Sequence, residues 1–235
     1  MFDFAVWFKE HFPGRAQVLP VLEAFSREVR HYPGNLTGTR DGRQFAVLHL
    51  VDSLYPLVRL AEWAWSGRWL DLGSGPGLPG LPLAVVCPEM RLTLLDAREK
   101  PLTFARHFAE AHGLTHLEVR LGRAEEAGRD PALRERFDGV VVRAVDNLGV
   151  LAELGLPFLR VGGRMIAYKG KSSREEARQA LHALRQLGGE VVRIEEYRLP
   201  GLPHTRSLVV VDKVAPTPDR YPRRTGVPHK RPLRG

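Results

Sequence analysis

The chain has 235 residues, enough to bury a large core, and we favour one α/β domain with extensions over two small domains. Its single cysteine, Cys87, excludes an intramolecular disulfide and a zinc site made of several cysteines. No stretch approaches the ~20 apolar residues that cross a bilayer, so we expect a cytosolic protein without a membrane partner. The net charge of +8 suits an anionic polymer as partner, but ordinary solubility explains it equally well.

The first predicted elements are helices. Apolar residues recur at helical spacing at Val18, Leu22, Phe25 and Val29, and a second helical pattern runs over 43–65. His49 and Asp52 share one face of this second helix, but a third ligand at suitable spacing is not evident, and we predict no metal site. We interpret residues 1–66 as a helical extension that packs on a core domain.

A strand, a glycine loop and a helix follow over 69–83, in the sequence WLDLGSGPGLPGLPL. Gly75, Gly77 and Gly80 have the G-x-G-x-x-G spacing of dinucleotide sites, where free backbone N–H groups hold a pyrophosphate. The same spacing also occurs in tight strand-to-helix turns that bind nothing. The loop alone therefore does not identify a ligand.

Two features of this loop favour a ligand without phosphates. Pro76 and Pro79 have no N–H to donate to a phosphate oxygen. The acidic Asp71 would repel a pyrophosphate but would stabilise the ammonium of an amino acid. S-adenosylmethionine satisfies both conditions, because it carries an amino acid, a sulfonium, a ribose and an adenine but no phosphate.

Strand and helix patterns alternate through the rest of the core, 67–213. Strands are predicted over 91–97, 117–121, 139–145, 164–170, 191–199 and 206–212, and helices over 78–87, 99–112, 148–159 and 172–187. Only a proline and glycine loop joins the last two strands, so they must be antiparallel. We predict an α/β fold with a seven-stranded, mostly parallel sheet that ends in an antiparallel hairpin, as in class I S-adenosylmethionine-dependent methyltransferases.

Ligands of such open sheets bind at the carboxyl ends of the strands, where several predicted strands carry polar residues. Asp96 is placed to accept both ribose hydroxyls, although it also suits a helix N-cap. Ala124 and Glu125 would read an adenine edge through an amide and a carboxylate, unless Glu125 is a solvated charge. Arg143 ends a strand of valines, so its guanidinium must face a carboxylate, an anion or the reaction site.

Seven segments between Asn35 and the end of the chain contain distinctive sequence motifs. They read HLVDSL, DLGSGPGLPGLPLAV, LLDAREK, GRAEE, FDGVVVRAV, AYKGK and YPRRTGVPHKRPL. In this order they resemble the bacterial glucose-inhibited division protein B family. The resemblance implies a methyltransferase that acts on N7 of one guanine in the 530 loop of 16S ribosomal RNA, either naked or in a small-subunit particle. It also implies cofactor contacts at Gly73, Leu78, Ala124, Glu125 and Arg143.

The implied chemistry needs no acid or base from the protein. N7 of guanine has an unprotonated lone pair that is exposed in the major groove, so it can attack a sulfonium methyl directly. The protein must hold the reactants about 3 to 3.5 Å apart and exclude water. We therefore predict no acid–base catalyst and interpret Arg143 as a positioning residue. The complete set of predicted cofactor contacts is Asp71, Gly73, Gly75, Gly77, Leu78, Asp96, Ala124, Glu125 and Arg143.

The C-terminal segment, 214–235, holds a net charge of +5 out of the total of +8. Its prolines argue against a packed helix or a central strand, so it is either an RNA-contacting arm or a disordered solubilising tail. We favour an arm over 220–234 whose removal spares cofactor binding. The predicted RNA contacts are Lys169, Lys171, Arg220, Arg223, Arg224, Lys230 and Arg231.

Our main prediction is a monomeric RNA methyltransferase with S-adenosylmethionine as cofactor and 16S ribosomal RNA as partner. Two alternatives explain part of the pattern. A nicotinamide-dependent oxidoreductase has the glycine spacing and would bind NAD. A noncatalytic RNA-binding protein has the basic arm and would bind no cofactor. Calorimetric titration with each cofactor separates the three classes.

Overall fold

The computed structural model describes residues 2–143 and 146–233. These residues form a sheet with the strand order β3-β2-β1-β4-β5-β7-β6, in which β7 is antiparallel to both of its neighbours. The strands are β1 (Gly67–Leu72), β2 (Met90–Asp96), β3 (Leu117–Leu121), β4 (Phe137–Val142), β5 (Leu159–Lys169), β6 (Gly189–Arg198) and β7 (Thr205–Lys213). The predicted fold class is confirmed. The first and last residues of the chain lie outside the described residues. So do two residues of the strand predicted over 139–145, Ala144 and Val145, and the last residue of the predicted arm, Arg234.

Helices cover both faces of this sheet. They are α1 (Phe4–His11), α2 (Leu19–His31), α3 (Gly42–Phe45), α4 (Asp52–Arg59), α5 (Gly80–Val86), α6 (Glu99–Ala111), α7 (Ala124–Ala127), α8 (Leu148–Gly155), α9 (Ser173–Gln179), α10 (Leu181–Leu187) and α11 (Val227–Lys230). A π-helical turn, Ala46–Val51, joins α3 to α4, and 3₁₀ turns cover Pro13–Val18 and Leu156–Phe158. Within 2–143 and 146–233, none of the helices is long and apolar enough to cross a membrane.

The central strands of the sheet have continuous apolar sequences because both of their faces are buried. Leu70 of β1 pairs with Val140 of β4, and both are fully buried because helices cover both faces. Gly139 leaves room for the indole of Trp69, since a Cβ at Gly139 would lie 2.3 Å from that ring. The glycine before the run of valines is therefore a packing requirement.

The N-terminal helices pack directly on the core. Phe25 of α2 lies edge-on to Phe108 of α6, with the ring centroids 5.2 Å apart. Tyr55 of α4 stacks on Tyr197 of β6 at a centroid distance of 4.3 Å. Helices α1 to α6 contribute to one hydrophobic cluster, and α8 to α10 contribute to another on the opposite face. The division of the chain at residue 66 stays an interpretation, because the first cluster has members on both sides of it.

Three expected helices differ clearly from the observed ones, and those expected over 78–87 and 99–112 differ by one or two residues at their ends. The helix expected over 148–159 is shorter, because strand pairing with β4 begins at Leu159. The helix expected over 172–187 is divided into α9 and α10. The helix expected over 43–65 contains the π-helical turn and ends at Arg59. Apolar periodicity cannot place such ends, because a buried strand and a buried helix end have the same composition.

The C-terminal arm folds back onto the core. Arg223 donates to Glu153 of α8 through its backbone N–H, Nε and Nη2, at 2.9, 2.8 and 2.5 Å. Arg134 donates to the carbonyl oxygen of Thr217 at 2.6 Å. The alternative of a disordered solubilising tail is therefore wrong for 214–233.

The pair between Arg223 and Glu153 gives a stability prediction. Glu153 is fully buried, so Arg223→Ala would leave a buried carboxylate without its cation, which costs roughly 3 kcal/mol in comparable pairs. We expect the free energy of unfolding in urea to fall by about that amount. Arg220→Ala removes an exposed arginine of the same arm and should lower it by only about 0.5 kcal/mol. Equal small losses in the two variants would contradict an anchoring role for the pair.

Candidate functional site

Two adjoining cavities open at the carboxyl ends of the parallel strands. The first cavity has a volume of about 530 Å³ and lies beside the ends of β1, β2 and β3. Its walls are formed by apolar side chains, namely Leu72, Leu95, Val142, Leu151 and Leu154. Polar groups from the strand ends and from the C-terminal arm complete the lining. A mainly apolar pocket with a few polar groups is typical of a small-molecule site.

Among the described residues of the glycine loop, Gly73 is the predicted contact that borders the first cavity. Its φ of 72° is in the left-handed region, and no atom of residues 2–143 or 146–233 lies within 4 Å of the point where a Cβ would project. Gly75 instead donates its N–H to Asp96, and Gly77 packs over a side chain of α5. Gly77 and the buried Leu78 thus shape the loop, and ligand contacts at Gly75, Gly77 and Leu78 stay predictions.

Asp71 lies beneath the glycine loop and does not border either cavity. Its buried carboxylate accepts the N–H of Gly80 at 2.7 Å through Oδ2, and Oδ1 has no hydrogen-bond partner in the described part of the chain. Burial raises the pKa of Asp71 to about 7, and the Gly80 hydrogen bond opposes this rise. This position does not support the predicted contact with a cofactor ammonium, because the carboxylate instead fixes the start of α5.

Asp96 ends β2 and borders the first cavity. Its Oδ2 accepts the N–H of Gly75 at 2.8 Å, and its Oδ1 accepts the N–H of Arg98 at 2.8 Å. The guanidinium of Arg98 adds an ion pair at 3.2 Å. Because α6 begins at Glu99 with Arg98 as its N-cap residue, the alternative of a helix N-cap at Asp96 is wrong. A carboxylate oxygen accepts more than one hydrogen bond, so a ribose contact at Asp96 is compatible with the loop.

The C-terminal arm forms one wall of the first cavity. Glu125 is buried and accepts the N–H of Gly226 at 2.9 Å, so the alternative of a solvated charge is wrong. Ala124 borders the same cavity, and so do Thr225, Gly226 and His229 of the arm. The sequence patterns did not identify these three arm residues, although all of them lie in the terminal motif YPRRTGVPHKRPL. Their placement conflicts with the expectation that removal of the arm spares cofactor binding.

The second cavity has a volume of about 880 Å³ and lies beyond the ends of β4, β5 and β7. Its charged lining residues are Arg143, Asp146, Lys169, Lys171, Glu176 and Arg206. Asp146 borders both cavities, which places them next to each other. Lys169 is largely buried and lies 2.6 Å from Glu176. Of the two lysines predicted to contact RNA, Lys171 is the one with an exposed side chain.

A buried carboxylate, Asp52, organises one wall of the second cavity. It accepts the hydroxyl of Tyr197 at 2.7 Å, Nη1 of Arg143 at 3.2 Å and Nη1 of Arg206 at 3.1 Å. Arg143 thus faces a carboxylate, which is one of the three environments that its position predicts. Since Arg143 borders the second cavity and not the first, its predicted cofactor contact stays a prediction.

His49 lies beside this cluster and is neutral. Burial, together with the nearby guanidinium groups of Arg143 and Arg206, lowers the pKa of His49 to about 3. Its Nδ1 lies 3.5 Å from Nη2 of Arg143, and its Nε2 lies 3.1 Å from Oγ1 of Thr39. Because an arginine can only donate, Nδ1 is the acceptor and the ring proton is on Nε2, where it points to Thr39.

The remaining predicted RNA contacts lie on the C-terminal arm. Exposed cations of the arm are Arg220, Arg224, Lys230 and Arg231. Arg223 is instead engaged by Glu153, so the structure places it in an ion pair and not on the open surface. Within the part of the chain that the structure describes, no group of three or more His, Cys, Asp and Glu side chains is arranged to hold a metal ion.

The strand order and the cavities at the strand ends define the class I methyltransferase fold. TYW2 of M. jannaschii, solved in complex with AdoMet, shares this fold with a TM-score of 0.52 and 16% identity, over 68% of this chain and 74% of that chain. The family model GidB, described as rRNA small subunit methyltransferase G, matches residues 29–206.

Two relatives are named Ribosomal RNA small subunit methyltransferase G. The protein of Deinococcus deserti is 44% identical over 92% of this chain and 90% of its own length. The protein of Deinococcus radiodurans is 41% identical over 93% of this chain and 84% of its own length. The chain therefore belongs to the GidB family of small-subunit rRNA methyltransferases. This confirms the predicted family and enzyme class, and it sets aside the oxidoreductase and noncatalytic alternatives.

The raised pKa of Asp71 predicts a pH dependence of stability. The protonated carboxyl stabilises the fold at low pH, and this contribution is lost as the pH rises from about 4 to about 7. Asp71→Asn removes the titrating group but keeps an oxygen for Gly80. Between pH 5 and pH 8, the free energy of unfolding of the variant should gain about 2 to 3 kcal/mol relative to the wild type, at about 1.4 kcal/mol per pKa unit.

Urea denaturation at pH 5 and pH 8 measures this difference. Asp138→Asn is the control. Partial burial opposes ionisation of Asp138, but the hydrogen bonds that it accepts from Arg68 and Arg160 outweigh this effect and lower its pKa, so the group stays ionised over this range. For that variant the difference from the wild type should be the same at both pH values. A constant difference for Asp71→Asn as well would show that Asp71 titrates normally.

Proposed function

We propose that this chain transfers a methyl group from S-adenosylmethionine to N7 of a guanine in the 530 loop of 16S ribosomal RNA. The main support is that two cavities adjoin at the strand ends and share Asp146 on their border, so that ligands held in them would meet there. Membership of the family gives the reaction class. The motif resemblance described above supports the assignment of the reacting atom and of the RNA loop.

The residues of the first cavity fit S-adenosylmethionine. The space beside Gly73 admits a ligand close to the backbone, and Asp96 offers carboxylate oxygens for ribose hydroxyls. Ala124 and Glu125 offer an amide and a carboxylate for an adenine edge. Pro76 and Pro79 have no N–H, so the loop offers few backbone donors for a pyrophosphate. When bound, the cofactor supplies a methyl group on a positively charged sulfur.

We place the target guanine in the second cavity. N7 of guanine carries its own lone pair, so no side chain has to remove a proton from it. The residues of this cavity have to orient the base and keep water from the reacting atoms. Arg143 suits this positioning role, because Asp52 holds its guanidinium at 3.2 Å and thereby limits its freedom.

Ribosomal RNA as substrate implies a cytoplasmic protein, and we propose that it acts as a monomer on naked RNA or on a small-subunit particle. The exposed cations of the arm, together with Lys171, offer contacts for the phosphates of the RNA backbone. The same arm borders the first cavity through Gly226 and His229. RNA binding and cofactor binding therefore share one structural element.

Cofactor binding provides the next prediction. Asp96→Ala should weaken S-adenosylmethionine binding about ten- to a hundredfold, because the lost hydrogen bonds to a charged group are worth roughly 1.5 to 3 kcal/mol. Calorimetric titration of the cofactor measures this change. Asp138→Ala is the matched control, because Asp138 also accepts a backbone N–H, from Arg68, but at the opposite end of the strands. Equal cofactor affinity in wild type and Asp96→Ala would remove Asp96 from the site.

The proposed reaction is tested by incubating the protein with S-adenosylmethionine and 16S ribosomal RNA that lacks the modification. Mass spectrometry of nuclease fragments then locates the methyl group. We expect one 7-methylguanine in the 530 loop. A methyl group on another base or on another guanine atom would refute the assigned target, and absence of transfer to both naked RNA and small-subunit particles would refute the activity.

A further inference from the structure

Arg206 of β7 presents unused donors to the second cavity. Its Nη1 donates to Oδ2 of Asp52 at 3.1 Å, yet 35% of the Arg206 side chain is exposed and borders the cavity. A guanidinium has five N–H donors, and the bond to Asp52 uses one of them. The bond therefore fixes the orientation of Arg206 while the group can still bind a ligand.

The cluster around Asp52 has a positive charge in excess. Two guanidinium groups, those of Arg143 and Arg206, share the single carboxylate of Asp52. Tyr197 contributes a neutral hydroxyl, and His49 stays neutral at pH 7 because its pKa is lowered to about 3. The buried Asp71 also interacts electrostatically with Arg143, but its pKa is raised to about 7, so it is only partly ionised at neutral pH. A net positive charge is thus left over at the cavity wall.

The acidic side chains that border the same cavity already have cationic or ionisable partners. Glu176 lies 2.6 Å from Nζ of Lys169, and Asp146 pairs with His229 of the arm. Lys171 adds an exposed cation to the cavity lining. An anion that enters the cavity therefore meets Arg206 and Lys171, while the carboxylates are held by other groups.

We propose that Arg206 binds a phosphate group of the target nucleotide. This rests on the proposed function, since it describes how the RNA backbone is held beside the reacting base. A phosphate carries the negative charge that balances the cluster, and its oxygens match the guanidinium N–H groups in parallel pairs. A cavity of about 880 Å³ has room for a whole nucleotide.

The test uses guanosine 5′-monophosphate and guanosine as probes of the full-length protein, with binding followed by NMR titration. The wild type should bind the monophosphate at least about tenfold more tightly than guanosine, because a charge-assisted pair contributes that much affinity. Arg206→Gln should lower this ratio to about twofold or less and leave the affinity for guanosine unchanged. Equal affinity of the wild type for both probes would overturn the proposal.

Two further variants control for charge and for folding. Arg206→Lys keeps the positive charge and should retain an intermediate preference for the monophosphate, which covers the case in which Arg206→Gln does not fold. Arg185→Gln removes an exposed arginine of α10, away from the cavity, and should keep the wild-type ratio. An unchanged ratio in Arg206→Gln, or the same decrease in Arg185→Gln, would overturn the assignment of the phosphate to Arg206.

Methyl-transfer assays separate this proposal from the proposed function. If the wild type prefers the monophosphate but methylates no ribosomal RNA, the proposed function fails and the phosphate subsite stands. If the wild type methylates the RNA, we expect Arg206→Gln to raise the KM for RNA more than it lowers kcat. Normal KM together with an unchanged monophosphate preference would overturn the subsite and leave the function intact.

Discussion

A fully buried carboxylate joins three distant parts of the chain at the cavity edge of the sheet. Asp52 begins α4, and an isolated charge at such a depth would be expensive without partners. Its partners are Tyr197 on β6, Arg143 after β4 and Arg206 on β7, the last of them 154 residues away in sequence. One carboxylate therefore ties the helical extension, the end of the parallel sheet and the antiparallel hairpin together. Both of the arginines that it holds face the second cavity.

In our proposal, the C-terminal arm links cofactor binding to RNA binding. Two buried carboxylates hold it, since Glu153 binds Arg223 and Glu125 accepts the N–H of Gly226. At and after these anchors the arm borders the first cavity through Thr225, Gly226 and His229. Its exposed cations are Arg220, Arg224, Lys230 and Arg231. The expectation that the prolines exclude a packed helix is wrong for Val227–Lys230, because Pro228 lies in the first turn of α11, where its missing N–H needs no partner.

Much of the fold can be predicted from the sequence, because strands that are buried on both faces have continuous apolar sequences. The strand of valines expected over 139–145 is observed as Phe137–Val142, and the short loop before β7 predicts the antiparallel hairpin. The site is harder to predict, because its ion pairs and hydrogen bonds join residues that are far apart in sequence. The position of Arg143 at the end of a buried strand predicts a partner for its charge, but nothing in the sequence identifies Asp52 as that partner. Glu153 did offer a signal, since a carboxylate within the apolar helix sequence LGVLAELG needs a cation from elsewhere.

The arrangement of two ligands in two adjoining cavities can be observed in a crystal structure. Crystals would be grown with S-adenosylhomocysteine, the demethylated cofactor, and guanosine 5′-monophosphate. We predict density for the cofactor product beside Gly73, Asp96 and Glu125, and density for the nucleotide beside Arg143 and Arg206. A nucleotide bound in the first cavity, or a cofactor product bound in the second, would contradict the assignment of the two cavities.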